Sequence, residues 1–387
     1  MWEVIIAGGA LLWWGNVLVL ALLGRGLPRL SDEATSSPEE WPKLSVVVAA
    51  CNEGDTIASA LQKLLQQDYP NFEIIVVNDR STDQTETIVA ELAQSDSRIH
   101  LITVTELPEG WLGKVHALHK GFERADGEWV VFADADVHFD VGLFKKAISV
   151  VIQDRLVHLS VLPDLSSSSF AASCVVACAL RGIAVSTKPW SANDPDNDSA
   201  IGGGAFNLVR RDFWAKTEGF EWLRMEVADD IALALQVSNH GGRSRFFLAL
   251  DMIKVPWYPT YSDAVRGLEK NAFAQVARFT LWRGLLLAAL LGCGVSVPFV
   301  ACLILPMSQA LWVVGACMGA AMASAAIGRQ YHISRFDHML CSFVFGELLL
   351  IWIVIRGTIL GAIRGGVIWR GTVYPSEVLR KGVRVDF

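Results

Sequence analysis

The chain has 387 residues, of which 52% are hydrophobic, and its mean hydropathy is +0.37. It is long for one domain and too apolar for an ordinary soluble protein. The formal net charge of −7, without any block of Lys and Arg, gives no sign of a nucleic-acid partner. The seven cysteines show no CxxC or Cys/His spacing, which favours buried thiols in a reducing compartment.

An apolar run at residues 4–23 is nearly free of charge and long enough to cross a bilayer as a helix. Its length, the acidic residue before it and the lack of an A-x-A site argue against a cleaved signal peptide. Arg25 and Arg29 follow directly, so its carboxyl end is expected to face the cytoplasm. We predict an N-terminal transmembrane helix over 1–24 and a polar linker over 25–42.

Short apolar strands alternate with amphipathic helices between residues 43 and 162. The strands are predicted at 44–50, 72–77, 99–104 and 129–133. This alternation indicates a parallel sheet covered on both faces, with the carboxyl ends of all strands at one ligand-binding rim. The sequence has no G-x-G-x-x-G after the first strand and no P-loop motif, which disfavours a dinucleotide oxidoreductase and a P-loop ATPase.

Polar residues lie where these strands end. Asn52 and Glu53 follow the first strand, Asp79 follows the second, and Asp134 and Asp136 follow the fourth. The strand period of two places the last two carboxylates on one side, where they suit Mg²⁺ or Mn²⁺ shared with substrate phosphates. Aspartates that merely close a strand would give the same pattern, so the residues alone leave both interpretations open.

Three runs in this order resemble the motifs of a family 2 glycosyltransferase of the GT-A fold. They are Leu-Ser-Val-Val-Val-Ala-Ala-Cys-Asn-Glu at 44–53, Ile-Ile-Val-Val-Asn-Asp-Arg-Ser-Thr-Asp at 74–83 and Ala-Asp-Ala-Asp at 133–136. Gly-Trp-Leu-Gly-Lys at 110–114 is similar to the membrane-bound branch with ceramide glucosyltransferases and hopanoid-associated glycosyltransferases. The resemblance implies an α/β fold over 43–283: a GT-A (Rossmann-like), mostly parallel sheet with transmembrane helices before and after it.

The resemblance also implies a nucleotide-sugar site. Asp79 would accept from the uracil or the ribose, Asp134 would lie near the sugar or ribose, and Asp136 would be the principal metal ligand. A divalent cation there acts as a Lewis acid on the departing diphosphate. Lys114 would assist as a point charge on the diphosphate. A solvated lysine in the first turn of a helix is an equally good interpretation. The complete set of residues expected to bind the donor is Ala50, Asn52, Glu53, Asp79, Lys114, Asp134, Gly203, Gln275 and Arg278.

An acidic pair, Asp229 and Asp230, opens an apolar helix after a triple glycine at 202–204. An ordinary helix cap would explain one of the two. The resembled family has its catalytic base in such a pair, usually Glu-Asp, and the following apolar residue favours Asp230, with Asp229 in reserve. A single carboxylate that deprotonates an acceptor hydroxyl is the arrangement of an inverting displacement.

Gln275-Val-Ala-Arg278-Phe279 resembles the Gln-x-x-Arg-Trp motif of the same branch, with Phe in place of Trp. The resemblance implies that Arg278 binds the diphosphate and Gln275 the acceptor region, while the substitution puts stacking at Phe279 in question. An amphipathic helix with one interfacial arginine is the alternative interpretation.

Further apolar segments raise the question of topology. Residues 165–185 are short for a span and are interrupted by Arg181, so a core helix stays open and an interfacial helix is slightly favoured. We expect a mobile loop over 191–199. Three later segments, the last of which contains Glu347, are predicted at 285–305, 311–327 and 339–355.

If all three later segments crossed, the basic tail would end outside, against the positive-inside rule. The last segment is then re-entrant or interfacial, or the count is wrong by one, and the topology stays open. We assign 284–365 to transmembrane or interfacial helices and 366–387 to the tail. Trp-Arg-Gly at 369–371 resembles a tail motif of the same branch, which would be more useful on the cytoplasmic side.

These expectations define a multi-pass protein of the inner (plasma) membrane with a cytoplasmic catalytic domain. It is expected to be an inverting, Mg²⁺- or Mn²⁺-dependent glycosyltransferase. The reaction would move a hexose or N-acetylhexosamine from a UDP-sugar to the hydroxyl of a lipid, such as a hopanoid, a sphingolipid-like lipid or another glycolipid acceptor. The alternatives are a processive polysaccharide synthase and an inactive membrane scaffold or transport protein with a degenerate nucleotide domain.

Overall fold

The computed structural model describes residues 2–34, 36–194 and 201–385. Its strands are β1 (Leu44–Ala50), β2 (Phe72–Asp79), β3 (Ile99–Val104), β4 (Trp129–Asp134), β5 (His138–Phe139), β6 (His158–Asp164), β7 (Asn207–Arg210), β8 (Ser244–Lys254), β9 (Gly366–Trp369) and β10 (Thr372–Pro375). Its α-helices are α1 (Trp2–Gly26), α2 (Ile57–Leu65), α3 (Thr85–Ser95), α4 (Gly113–Arg124), α5 (Leu143–Gln153), α6 (Phe170–Thr187), α7 (Arg211–Trp214), α8 (Gly219–Leu223), α9 (Asp229–Asn239), α10 (Tyr261–Asn271), α11 (Leu281–Ile304), α12 (Met307–Gln330), α13 (Phe336–Cys341), α14 (Glu347–Arg364) and α15 (Ser376–Gly382). A 3₁₀ turn lies at Pro189–Ser191, and π-helical segments lie at Ala272–Val276 and Ser342–Gly346.

One eight-stranded sheet forms the centre of the domain, in the order β3-β2-β1-β4-β7-β6-β8-β5. The first four strands are parallel, as predicted from their alternation with helices. β7 runs antiparallel to both β4 and β6, and β5 runs antiparallel to β8. β6 and β8 are parallel to each other and, through β7, run in the same direction as β4. The four predicted strands therefore end at the same rim as expected, whereas β7 and β5 are reversed and make the described sheet mixed. An apolar run encodes burial of a strand but not its direction.

Helix α4 lies directly on β1, and a glycine allows this close approach. A Cβ added at Gly121 would lie 2.2 Å from Cγ1 of Val47, which is fully buried in β1. The contact holds the first turn of α4 over the carboxyl ends of the parallel strands. This turn carries Lys114, so the packing of α4 positions one residue of the predicted site.

Among the residues that the structure describes, five helical stretches are long and apolar enough to cross a membrane: residues 6–26, 170–187, 281–304, 307–330 and 336–364. The second and fifth of these both begin and end against the α/β domain. After α6, the side chain of Asn193 exchanges two hydrogen bonds with the backbone of Phe246 in β8, at 2.7 and 2.9 Å. Before α13, Ile333 packs with Leu248 of β8, and after α14, Val367 packs into the core beside α4.

A buried arginine joins three of these apolar stretches. The Arg181 side chain in α6 is 5% exposed, and its guanidinium lies 3.4 Å from the Glu347 carboxylate of α14. It also donates to Oδ1 of Asn16 in α1 at 3.1 Å and to the hydroxyl of Ser342. Charged side chains inside apolar helices are tolerated when they are paired in this way. The sequence showed each residue separately but not that they meet.

We expect the Arg181→Met substitution to lower the melting temperature of the detergent-solubilised protein by several degrees. Removing one partner of a buried ion pair costs about 3–5 kcal/mol because the other charge stays buried. The matched control is Arg335→Met, because the Arg335 side chain is 71% exposed in its pair with Asp337. The double variant Arg181→Met/Glu347→Met should regain part of the loss. Equal melting of Arg181→Met and Arg335→Met would contradict the structural role of the cluster.

Candidate active site

Several elements bring charged side chains together at the carboxyl end of β4. Nζ of Lys114, in the first turn of α4, lies 2.8 Å from Oδ1 of Asp134 and 3.3 Å from Oδ2 of Asp229. Asp230, beside Asp229 at the start of α9, lines the same small cavity as Lys114. Four residues singled out from the sequence thus meet, and Lys114 is not the solvated lysine that its position alone allowed.

The electrostatics of this cluster favour a charged lysine and a basic aspartate. Burial opposes the charge of Lys114, but the three surrounding carboxylates outweigh it and raise the pKa of Lys114. Burial and the neighbouring Asp229 raise the pKa of Asp230 to about 6, against the lowering effect of Lys114. Oδ1 of Asp230 accepts a hydrogen bond from the backbone N–H of Ile231 at 2.9 Å. Near neutral pH, Asp230 is therefore mostly ionised and a stronger base than an ordinary aspartate.

The glycine-rich segment 202–204 borders this cluster. The backbone N–H of Gly203 donates to Oγ of Ser160 at 2.7 Å, and a Cβ at Gly203 would lie 2.4 Å from the carbonyl oxygen of Val161. A Cβ at Gly204, in contrast, would lie 3.0 Å from Oδ2 of Asp134 and 3.5 Å from Oδ2 of Asp230. Gly203, which the sequence singled out, is thus held by β6, and Gly204 is the glycine that faces the carboxylates. A run of three glycines predicts close approach without telling which glycine makes it.

The ends of β1 and β2 carry a separate network of polar residues. Both Asp79 oxygens accept from Arg80, at 2.7 and 3.0 Å, and Asp79 is 3% exposed. Oδ1 of Asn52 accepts from the backbone N–H of Thr82 at 2.8 Å, and Asn52 has a φ of 56°. The side chain of Ala50 is buried in the core, so only its backbone is placed to border a ligand. Asp79 and Asn52 therefore border the rim with their carboxylate and amide oxygens already hydrogen-bonded.

The donor set at the end of β4 fits a hard divalent cation. Burial, together with the Asp134 and Glu53 carboxylates, raises the pKa of Asp136 to about 7. A cation bound between these groups would relieve that repulsion. Among the described residues, no group of three or more His, Cys, Asp or Glu side chains is arranged to hold a metal. Asp134 and Asp136 would then supply two oxygen ligands, and substrate phosphates and water the others, as is usual for Mg²⁺.

A C-terminal hairpin, β9–β10, completes this rim, although the sequence showed only a basic tail with a Trp-Arg-Gly motif. Arg370 at the hairpin tip pairs with Glu53. The hydroxyl of Tyr374 accepts from the backbone N–H of Gly113 at 3.1 Å, directly before Lys114. Farther on, the backbone N–H groups of Arg384 and Val385 donate to the buried carboxylate of Glu226, just before α9. The tail is thus part of the domain.

Gln275 and Arg278 lie after α10, in and beside the π-helical segment Ala272–Val276. Arg278 and Phe279 have positive φ values of 47° and 57°, so the chain turns sharply here. Phe279 is 5% exposed and packs edge-on against Phe273 at 5.8 Å between ring centroids. Phe279, which stands in place of the Trp of the Gln-x-x-Arg-Trp motif, is therefore a core residue. The mobile loop predicted over 191–199 lies outside the described residues from 195 onward.

We expect the Lys114→Met substitution to make stability strongly dependent on pH. Without this cation, the carboxyls around it retain protons at a higher pH than unfolded aspartates, whose pKa is about 3.9. The folded form then binds more protons than the unfolded form, so stability falls as pH rises. At pH 8 the free energy of unfolding of the variant should be about 3 kcal/mol or more below that of wild type, and at pH 5.5 the two should be closer. Thermal melting at the two pH values measures this difference.

The matched control is Lys120→Met in the same helix, because the Lys120 side chain is 42% exposed in its pair with Glu123. A Lys114→Met variant with the same melting profile as Lys120→Met would show that the charge of Lys114 contributes little to stability.

Comparisons with known proteins identify a family match for the first part of the α/β domain. Residues 45–168 match the family model described as Glycosyl transferase family 2. The chain is 30% identical over 227 residues to a probable glycosyltransferase of Bacillus subtilis, YdaM, covering 54% of this chain and 50% of that protein. It is 31% identical over 133 residues to the beta-monoglucosyldiacylglycerol synthase of a Nostoc species, covering 32% of this chain and 28% of that protein. The chain thus spans half or less of the length of these relatives.

A solved structure shares the fold over nearly the whole chain. The mannosyltransferase PcManGT from Pyrobaculum calidifontis, in complex with GDP-Man and Mn²⁺, aligns with a TM-score of 0.57 at 18% identity. The alignment covers 91% of this chain and 99% of that one. At this identity the likeness shows the fold alone. The match to the family 2 model is thus confined to residues 45–168, and the likeness to the solved structure extends to the GT-A-like fold of the chain.

Proposed function

We propose that the protein is a membrane-bound, inverting glycosyltransferase that moves a hexose or N-acetylhexosamine from a UDP-sugar to the hydroxyl of a lipid. The proposal rests chiefly on one half-buried and unusually basic carboxylate, Asp230, which faces Asp134 at the end of β4. It places the reaction at the cytoplasmic face of the plasma membrane, with Mg²⁺ or Mn²⁺ at Asp134 and Asp136.

Asp230 is the proposed general base. It takes the proton from the acceptor hydroxyl while that oxygen attacks the anomeric carbon and the bond to the diphosphate breaks. Asp229 is less suited to this role because its carboxylate is engaged by Lys114 at 3.3 Å. One displacement on the anomeric carbon inverts its configuration and needs no second nucleophilic carboxylate.

Donor binding is assigned to the rim that β1, β2 and β4 share. Asn52, Glu53 and Asp79 would border the nucleoside there, with Lys114 at the sugar or diphosphate. A divalent cation, when bound at Asp134 and Asp136, supplies Lewis-acid stabilisation of the leaving diphosphate. The relation to PcManGT, which is in complex with GDP-Man and Mn²⁺, supports a nucleotide-sugar donor and a divalent cation. The choice of uridine comes from the motif resemblance.

The membrane arrangement follows from where the apolar stretches begin and end. We assign α1, α11 and α12 to spans, and α6 and the stretch 336–364 to the cytoplasmic boundary of the membrane. Both ends of these last two contact the α/β domain, through Asn193, Ile333 and Val367 among others. This arrangement keeps the basic C-terminal residues on the cytoplasmic side, in agreement with the positive-inside rule. It favours the interfacial alternative for the last apolar segment.

Replacing the proposed base tests the catalytic role. We expect Asp230→Asn to lower kcat by roughly 10²–10⁴-fold while UDP affinity stays close to wild type, because the amide cannot accept the proton. The wild-type rate should also fall below about pH 6, where the Asp230 carboxylate, facing Asp229, Lys114 and Asp134, becomes protonated.

Transfer from a panel of UDP-sugars to lipids, followed by mass spectrometry of the lipid products, measures this rate. The control is Asp212→Asn, because Asp212 lies in an exposed pair with Arg210. Equal losses of turnover and UDP binding would make Asp230 a structural residue, and polymeric products would favour a processive synthase. Wild-type transfer in both Asp230→Asn and Asp136→Ala would refute the catalytic role of these carboxylates. Absence of transfer by the wild-type protein from every UDP-sugar would favour the scaffold alternative.

Metal removal tests the role of the acidic residues at the end of β4. We expect a chelator to abolish transfer and Mn²⁺ or Mg²⁺ to restore it, and Asp136→Asn to need far more metal for the same rate. Asp140→Asn is the control, because Asp140 is exposed and its carboxylate accepts from the backbone N–H of Gly142 at 3.0 Å. Transfer that is insensitive to the chelator would refute the proposed metal role.

A further inference from the structure

A second cavity, of about 400 Å³, opens between α10, α14 and β9. Its charged lining consists of five cationic side chains and one carboxylate: Arg266, Lys270, Arg356, Arg364, Arg370 and Glu269. None of these residues belongs to the donor site expected from the sequence. We call this space the cationic cavity.

The carboxylates around the cationic cavity do not balance its positive charge. Glu269 alone accepts from two arginines, Arg356 and Arg364. Arg266 pairs with Asp263 at 2.7 Å, and Arg370 pairs with Glu53. These contacts set three carboxylates against five cations, which leaves an excess of two positive charges.

Lys270 accounts for much of this excess. Its Nζ lies 3.4 Å from the ring centroid of Trp369 in β9, and it forms no ion pair with a carboxylate in the described part of the chain. Burial and the nearby charge of Lys114 lower the pKa of Lys270 to about 8, against the raising effect of Asp229, Asp134 and Asp230. Lys270 is therefore placed to bind an anion. The guanidinium groups of the neighbouring arginines can each donate a pair of hydrogen bonds to phosphate oxygens.

The surroundings of the cavity favour a lipid as the source of that anion. Ile368 lines the cavity and is 44% exposed, and Ile363, nearby on α14, is 76% exposed. α11, one of the proposed spans, begins against α14, where a Cβ at Gly284 would lie 2.1 Å from the Thr358 hydroxyl. A soluble phosphate needs no apolar border, whereas the chains of a lipid do.

We infer that the cationic cavity binds the phosphate group of an anionic membrane lipid, with its chains lying against the exposed isoleucines. Arg356, Arg364 and Lys270 contact the phosphate. The cavity joins the active-site rim through Arg370 and Glu53, so the bound lipid lies beside the catalytic carboxylates. This inference does not require that the lipid is the acceptor.

Thermal melting of the detergent-solubilised full chain tests the inference with four probes: short-chain phosphatidic acid, short-chain diacylglycerol, inorganic phosphate and UDP. We expect stabilisation by phosphatidic acid at concentrations where diacylglycerol and inorganic phosphate have no effect. Lys270→Gln should raise the half-saturating concentration of phosphatidic acid about tenfold or more. This variant leaves no carboxylate unpaired.

Two controls separate the lipid site from folding and from the donor site. Arg335→Gln, at an exposed arginine on the loop after α12, should bind phosphatidic acid like wild type. UDP should stabilise Lys270→Gln and wild type equally, and Arg364→Gln serves as a second cavity variant if Lys270→Gln does not fold.

Three outcomes would overturn the inference. Diacylglycerol could stabilise the protein as much as phosphatidic acid does, or no lipid could stabilise it at all. Inorganic phosphate or UDP could also displace phosphatidic acid and lose its own binding in Lys270→Gln to the same extent. None of them bears on the role of Asp230, which the transfer assay tests separately.

Discussion

A half-buried lysine surrounded by carboxylates holds the candidate active site together. Lys114 comes from the start of α4, Asp134 from the end of β4 and Asp229 from the start of α9, and the lysine contacts both carboxylates. Without that cation, carboxylates this close in a low-dielectric setting would repel one another or take up protons. The same interaction occupies Asp229 and leaves Asp230 as the basic member of the acidic pair. The packing of the carboxylate cluster and the proposed role of Asp230 as a base therefore both depend on the charge of Lys114.

The C-terminal segment connects this site to the membrane boundary. α14 lies on α10 and on the π-helical segment after it through two glycines. A Cβ at Gly357 would lie 2.8 Å from the carbonyl oxygen of Glu269 in α10, and a Cβ at Gly361 would lie 2.3 Å from the Phe273 ring. The hairpin that follows then returns to the rim, where Arg370 meets Glu53 and Tyr374 meets the backbone of Gly113. A displacement of α14 would therefore shift the contacts of the hairpin with the carboxyl end of β1 and with the start of α4. The cationic cavity lies along this connection.

Polar contacts within the apolar helices complete the arrangement. Arg181 ties α6 to α1 and to the stretch 336–364, so segments that begin and end at the α/β domain are also fixed to a proposed span. The cost of burying its charge is met by Glu347, by Asn16 and by the face of the Phe343 ring at 4.5 Å. Apolar packing alone has little directional preference, whereas these contacts specify one arrangement.

The parallel half of the sheet could be predicted from the sequence, because continuous apolar runs between amphipathic helices have a local period. The acidic residues after β4 and at the start of α9 could also be found there. Three features required the folded chain: the direction of β7, the position of Gly204 rather than Gly203 beside the carboxylates, and the pairing of Arg181 with Glu347. The cationic cavity likewise draws on α10, α14 and β9. Contacts between distant segments leave no periodic trace in the chain, so they become visible only once the segments have packed.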